Sequence, residues 1–152
     1  MTVRIAKFGD IPRVVTLVKE SHRRSSYAHY KMDENSLKEF CMESIRSGNG
    51  TIIVWDVAGM VEGYIIGITD RLYQFLKVKY ATDILTYVSN AGRGGYIPLL
   101  TAFENWAFSI ENVVEIWLGA SDGIEDPARI EKIHNRLGYT RLGIISRKRK
   151  LP

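Results

Sequence analysis

Asp83-Ile-Leu-Thr-Tyr-Val-Ser-Asn-Ala-Gly-Arg-Gly-Gly-Tyr-Ile-Pro-Leu-Leu100 runs from a β-rich segment through a glycine loop into an amphipathic stretch. Residues 83–88 read as a strand that empties into Ser89-Asn-Ala-Gly-Arg-Gly-Gly95. A helix follows, because Pro98 fits a first turn and Leu99, Leu100, Phe103, Trp106, Ala107 and Ile110 cover a broad apolar face. That order places Gly92, Gly94 and Gly95 where backbone N–H groups can converge on phosphate oxygens. No side chain blocks the approach there, and a helix N-terminus carries partial positive charge. Arg93 adds a full one. The spacing is neither Walker-type nor a clean Gly-x-Gly-x-x-Gly, so a plain tight turn stands as the alternative.

Working outward, residues 113–118 (Val-Val-Glu-Ile-Trp-Leu) form the next strand. Asp126-Pro127 then pairs an N-cap with proline at the first helical position, opening a helix through Ile130, Ile133 and His134 to Leu137, which Gly138 closes. Residues 139–147 read as one last strand or two short ones. Upstream, residues 3–6 form a short strand. Asp10 caps a helix that carries Ile11, Val14, Val15 and Val18 on one face to about Ser21. Residues 22–32, rich in His, Arg and Tyr, read as a loop. Leu37, Phe40, Cys41 and Ile45 mark a second helix behind Asp33 and Asn35, and residues 51–56 and 61–68 pair as a hairpin across Val57-Ala-Gly-Met60. The element order β-α-α-β-β-β-α-β-α-β, with no repeat or linker, predicts one α/β domain over residues 1–152 with a mixed sheet.

The 152 residues are 45% hydrophobic and 25% charged, the makeup of a folded soluble domain rather than a disordered or fibrous chain. A domain of this length buries about 70% of the surface its unfolded chain exposes, enough for a core without staples. One cysteine, Cys41, excludes an internal disulfide and a cysteine cluster for zinc, and on an apolar helix face it reads as an inert buried thiol. Trp55, Trp106 and Trp117 read as core. No stretch looks like a signal peptide or an uncharged membrane span, so a cytoplasmic protein without membrane attachment is expected. The net charge of +4 is uneven, with Arg147-Lys-Arg-Lys150 near the end. That cluster reads as a solvated strand end; contact with nucleic acid is the alternative, although no recognition helix or zinc motif accompanies it.

Taken together, the chain resembles the GNAT superfamily of acyl-CoA-dependent N-acetyltransferases. Val3-Arg-Ile-Ala6 and Asp10-Ile-Pro-Arg-Val-Val15 resemble its first strand and helix, Gly92-Arg-Gly-Gly95 with Leu99-Leu100 its motif A, and Asn135-Arg-Leu-Gly-Tyr139 the Leu-Gly-Phe turn of its motif B. The family pattern Arg/Gln-x-x-Gly-x-Gly/Ala starts at Ser89 when aligned on Gly92 and Gly94. Aligned on Leu99-Leu100 it starts at Ala91, with Tyr96 in place of the last glycine. Asp126-Pro127 stands where many members have Asn.

The resemblance implies a mostly antiparallel mixed sheet flanked by helices, acetyl-CoA as co-substrate without a metal, and an amine acceptor in a small molecule, peptide or protein. A homodimer is compatible with it. It also implies coenzyme contacts at Gly92, Arg93, Gly94, Gly95 and Tyr96, with the Tyr87 or Val88 N–H facing the acetyl carbonyl. Asp83, at the opening of its strand, stands near where some members place a carboxylate base. An ordinary Asp near pKa 3.9 is a poor base for an ammonium group and would act through water or with a raised pKa; a solvent-facing strand-edge Asp is the bland reading. His134 occupies the place of a tyrosine that protonates the departing thiolate, a task its chemistry allows, and the bland reading is a packed helix histidine. Tyr27, His29 and Tyr30, with His22, lie in the loop that commonly covers the acceptor, and either select substrate or simply pack. The expected activity is acetyl transfer by direct attack in a ternary complex. The alternative is a weak or inactive acyl-CoA-binding sensor on the same fold.

Overall fold

The computed structural model describes residues 1–120 and 125–150; the remaining six positions of the expected 1–152 domain lie outside the described residues. Five strands form one sheet in sequence order: β1 (Thr2–Ile5), β2 (Gly50–Val57), β3 (Met60–Arg71), β4 (Lys79–Val88) and β5 (Val113–Trp117). The first three pairings are antiparallel, and β4 pairs with β5 in parallel. This is the mixed, mostly antiparallel sheet expected.

Helices cover both faces. On β2 and β3 the side-chain alternation splits a continuous apolar run between two cores. Ile52, Val54, Tyr64 and Ile66 join the core under α1 (Ile11–Arg24) and α2 (Glu34–Arg46). Ile53, Trp55 and Ile65 join the core under α3 (Tyr96–Ser109). Helix α4 (Pro127–Arg136) follows β5. Its N-cap is as expected: the Asp126 carboxylate accepts the Ala128 N–H at 3.0 Å.

Four expectations need correction. Residues 139–150 contain no strand. Arg141 makes a two-pronged ion pair with Glu131, and Arg147 and Arg149 reach Ser26 and Tyr27, so side chains rather than a backbone ladder tie the segment down. Helix α1 runs to Arg24, which puts His22 in its last turn instead of in a loop. The Asp10 carboxylate does not cap α1. It accepts the Lys7 N–H and grips Arg4, and the guanidinium holds its carboxyl below the usual range. Cys41 is fully buried, which pushes its thiol up to about 11. Trp55 is core, whereas Trp106 and Trp117 are only part-buried. Among the described residues no helix is long and apolar enough to cross a membrane.

Candidate functional site

Strands β4 and β5 pair only over Lys79–Val113 to Thr82–Trp117. Beyond that rung β4 continues for six residues without a neighbour on this edge. Against β3 it carries a bulge: Ile66 faces Leu85 but Gly67 faces Asp83, leaving Ile84 as the extra residue. The Ser89 N–H donates to the Glu62 carbonyl at 2.8 Å on the β3 side. Alternation then turns the Tyr87 N–H toward β3 as well, and the Val88 N–H toward the open edge.

Asp83 stands where the strands part. Sequence placed it at the opening of its strand; it is the fifth residue of β4, half-buried rather than solvent-facing. Its carboxylate accepts the Thr86 hydroxyl at 2.9 Å and the Gly119 N–H at 3.3 Å. Burial pushes its carboxyl above the ordinary carboxylate range; the two hydrogen bonds and nearby His134 offset part of that rise.

The loop after β4 is tied from below. Glu62, a lone charge in an apolar run, is buried and accepts Arg13 at 2.9 Å and the Ser89 hydroxyl at 2.5 Å. The Ser89 oxygen in turn accepts the Gly92 N–H at 3.2 Å. A side chain at Gly92 would meet the Glu62 carbonyl at 2.6 Å, and one at Gly95 the Trp55 ring at 2.5 Å, so close packing requires glycine at both. Gly94 has φ +94° and faces open space, a backbone state that L side chains rarely adopt. The N–H groups of Gly92, Arg93 and Gly95 bond to loop carbonyls. Among the described residues those of Gly94, Tyr96 and Ile97 meet no acceptor, and the Arg93 side chain is exposed beside them. The amides left open are thus displaced toward the helix start from those the glycine pattern marked. They fit an anionic group.

His134 and Tyr96 meet. The Tyr96 hydroxyl lies 2.9 Å from His134 Nε2, and the Tyr139 ring stands 5.7 Å from the imidazole. Burial lowers the His134 pKa; Asp83 and Glu131 act the other way and do not prevail. Burial raises the Tyr96 phenol, as does the nearby Asp83 charge. Asp83, Tyr96 and His134, 51 residues apart at the extremes, therefore converge on one side of the opened strand.

Tyr87 turns its side chain to the other face. Its hydroxyl donates to Glu20 at 2.6 Å and accepts from Arg24 at 2.8 Å, both on α1. Tyr27, His29 and Tyr30 are exposed after α1, with the His29 and Tyr30 rings 4.0 Å apart. The sequence reading missed Arg13, Glu20, Arg24 and Glu62. Only Glu62 left a signal, as a carboxylate inside a strand otherwise buried.

No protein-family model and no curated protein matches the chain. Solved structures do. A possible acetyltransferase from Clostridium difficile 630 is 14% identical with a TM-score of 0.73, over 99% of this chain and 97% of that one. AAC(6')-Iy, in complex with the bisubstrate analogue CoA-S-monomethyl-acetylneamine, is 15% identical at 0.73, over 99% and 98%. The aminoglycoside acetyltransferase meta-AAC0020, from an uncultured soil metagenomic sample and bound to sisomicin, is 14% identical at 0.71, over 99% and 96%. From the parted β4 and β5 to the flanking helices, this chain has the fold of the GNAT acetyltransferases.

Proposed function

We propose that the protein transfers the acetyl group of acetyl-CoA to an amine by direct attack in a ternary complex. One observation carries this reading: the open edge of β4 leaves the Val88 N–H without a strand partner, and the amides of Gly94, Tyr96 and Ile97 are likewise open where the same chain segment enters α3. A thioester whose carbonyl meets the first and whose pyrophosphate meets the others would lie along β4. The CoA analogue bound by AAC(6')-Iy supports a ligand of that class.

In this mechanism the amine nitrogen attacks the thioester carbon, the Val88 N–H stabilises the developing oxyanion, and the C–S bond breaks. Asp83 takes the proton shed by the amine, through a water molecule, a task for which its raised pKa suits it better than an ordinary aspartate. The His134–Tyr96 pair supplies a proton to the thiolate. An acetamide and free CoA thiol result. The lone buried thiol suits a reducing compartment, and we place the enzyme in the cytoplasm.

The test is a panel of amines, peptides and nucleic acids incubated with acetyl-CoA and read by mass, beside release of free thiol. A gain of one acetyl group on an amine is expected. Tight coenzyme binding with no acetylated product from any class would overturn the reading in favour of a sensor.

A further inference from the structure

In a regular strand Asp83 would face away from Tyr96 and His134. Side chains two residues apart share a face, as do cross-strand partners. Leu85 and Tyr87 belong to the core under α1, whereas Thr86 stands opposite Ile65, in the core under α3. An unbroken β4 would therefore send Asp83 after Leu85 and Tyr87, among apolar side chains. The bulge prevents this. With Ile84 as the extra, exposed residue, Asp83 falls opposite Gly67, where a Cβ would meet the Phe103 ring of the α3 core. Asp83 and Thr86, three residues apart, thus end on one face, and the Thr86 hydroxyl donates to the Asp83 carboxylate at 2.9 Å.

That bond fixes how the carboxylate is presented. Its Oδ2 accepts Thr86 and its Oδ1 accepts the Gly119 N–H at 3.3 Å, so both oxygens are pinned, and each keeps a lone-pair direction for a further donor. Tyr96 from α3, His134 from α4 and Tyr139 just after it are the titratable groups whose charges couple to Asp83. Among the described residues Asp83 forms no ion pair. Burial works against its ionised form, and of the two donors that favour that form Thr86 lies nearer.

We propose that Thr86 is a positioning residue for acetyl transfer: brought beside Asp83 by the bulge at Ile84, its hydroxyl orients the carboxylate and supports the charged form that receives the amine's proton. This inference rests on the acetyl-transfer reading, in which Asp83 is the base, and adds to it a residue that touches neither substrate.

The experiment sets Thr86→Val, close in shape but without the hydroxyl, against Thr86→Ser, which keeps it. Thr86→Ala serves as a second hydroxyl-free variant should the valine protein fail to fold, and melting temperatures report folding. Two readouts are taken: the pH–rate profile with an acetylated amine, and the titration of the Asp83 carboxyl by carbon NMR, its signal assigned from Asp83→Asn. Without the hydroxyl the ionised carboxylate loses a donor. The rising limb of the rate and the titration should both move to higher pH, and turnover at pH 7 should fall by about tenfold, the worth of one hydrogen bond to a charged group. Thr86→Ser should keep the limb, the titration and most of the rate. In an Asp83→Asn background Thr86→Val should cost little more, because the partner it serves is gone. A limb and titration that stay in place in a folded valine or alanine variant would overturn the inference. So would a serine variant that behaves like valine, or a full tenfold loss in the Asp83→Asn background. The titration needs no turnover: if no amine is acetylated, the acetyl-transfer reading fails, and Thr86 is still judged by whether removing its hydroxyl moves the Asp83 titration while serine leaves it in place.

Discussion

The Tyr96 hydroxyl and His134 Nε2 lie 2.9 Å apart, joining the first turn of α3 to the end of α4 across the gap where β4 and β5 have parted. A buried imidazole whose charged form is disfavoured stays neutral and shares one hydrogen with the phenol. The pair is therefore a unit, and in the proposed reaction either member would present the proton to the leaving group while the other re-supplies it.

That unit can be taken apart by substitution. Tyr96→Phe and His134→Phe should each lower turnover by about 10²–10⁴ if the pair is the acid, whereas His134→Tyr keeps a hydroxyl and should retain much of the rate. Each Phe variant also strands one buried polar partner, at a cost of about 1–3 kcal/mol in stability. Rates, acetyl-CoA affinity and melting temperature need measuring together. Unchanged turnover in both Phe variants would remove the pair from the chemistry.

Stability should follow pH through the same histidine. Burial holds its folded pKa below the value of about 6.5 found in an unfolded chain. As pH falls below about 6.5, the unfolded chain takes up a proton that the folded one resists, so stability is lost progressively toward the lower folded pKa. His134→Phe should flatten that part of the melting curve against pH. A parallel decline in parent and variant would assign the acid sensitivity elsewhere.

Asp83 carries the opposite sign. Its folded pKa is raised, so its contribution is fully present below the unfolded value of about 3.9 and is lost as pH rises through the folded pKa. At neutral pH the buried carboxylate is a net cost. Asp83→Asn should therefore raise the melting temperature at pH 7, with the gain vanishing toward pH 3, while turnover falls and acetyl-CoA affinity stays nearly unchanged. The rate deficit should shrink at high pH, where free amine is plentiful. A neutral effect on rate would return Asp83 to a structural role.

In the glycine loop, shape and charge separate. Gly95→Ala drives a methyl group into the Trp55 ring and should destabilise by about 1–3 kcal/mol. Gly94→Asp meets open space but sets a negative charge beside the open amides and strains a positive φ. It should abolish the rise in melting temperature that acetyl-CoA gives the parent by mass action. Equal stabilisation of both by acetyl-CoA would refute a phosphate site here.

The Glu62 anchor is tested by Glu62→Ala, which removes the acceptor of both Arg13 and the Ser89 hydroxyl. A loss of about 2–3 kcal/mol is expected from hydrogen bonds to a charged group. Acetyl-CoA affinity should weaken as well, because Ser89 no longer fixes the Gly92 turn. Full affinity in a destabilised variant would show that the loop holds its shape without the anchor.

Local pattern determined most of this fold. The β-rich apolar runs of β2 and β3, the 3.6-residue period of α1 and α2, the Asp126-Pro127 start and the glycine loop after β4 are all short-range signals, and each element formed where its signal lay. Residues 139–150 carry a strand-like alternation yet form none. A strand needs a partner edge, which sequence cannot supply, and the arginines at 141, 147 and 149 tie the segment to side chains instead. The site divides the same way. Asp83, Tyr96 and His134 were each legible as candidates. Their convergence, the choice of the Val88 amide over that of Tyr87, and the Arg13–Glu62–Ser89 anchor depend on which edge of β4 stays open and which side chains meet across elements. Those contacts join residues up to 49 positions apart, and only the folded chain brings them within hydrogen-bond distance.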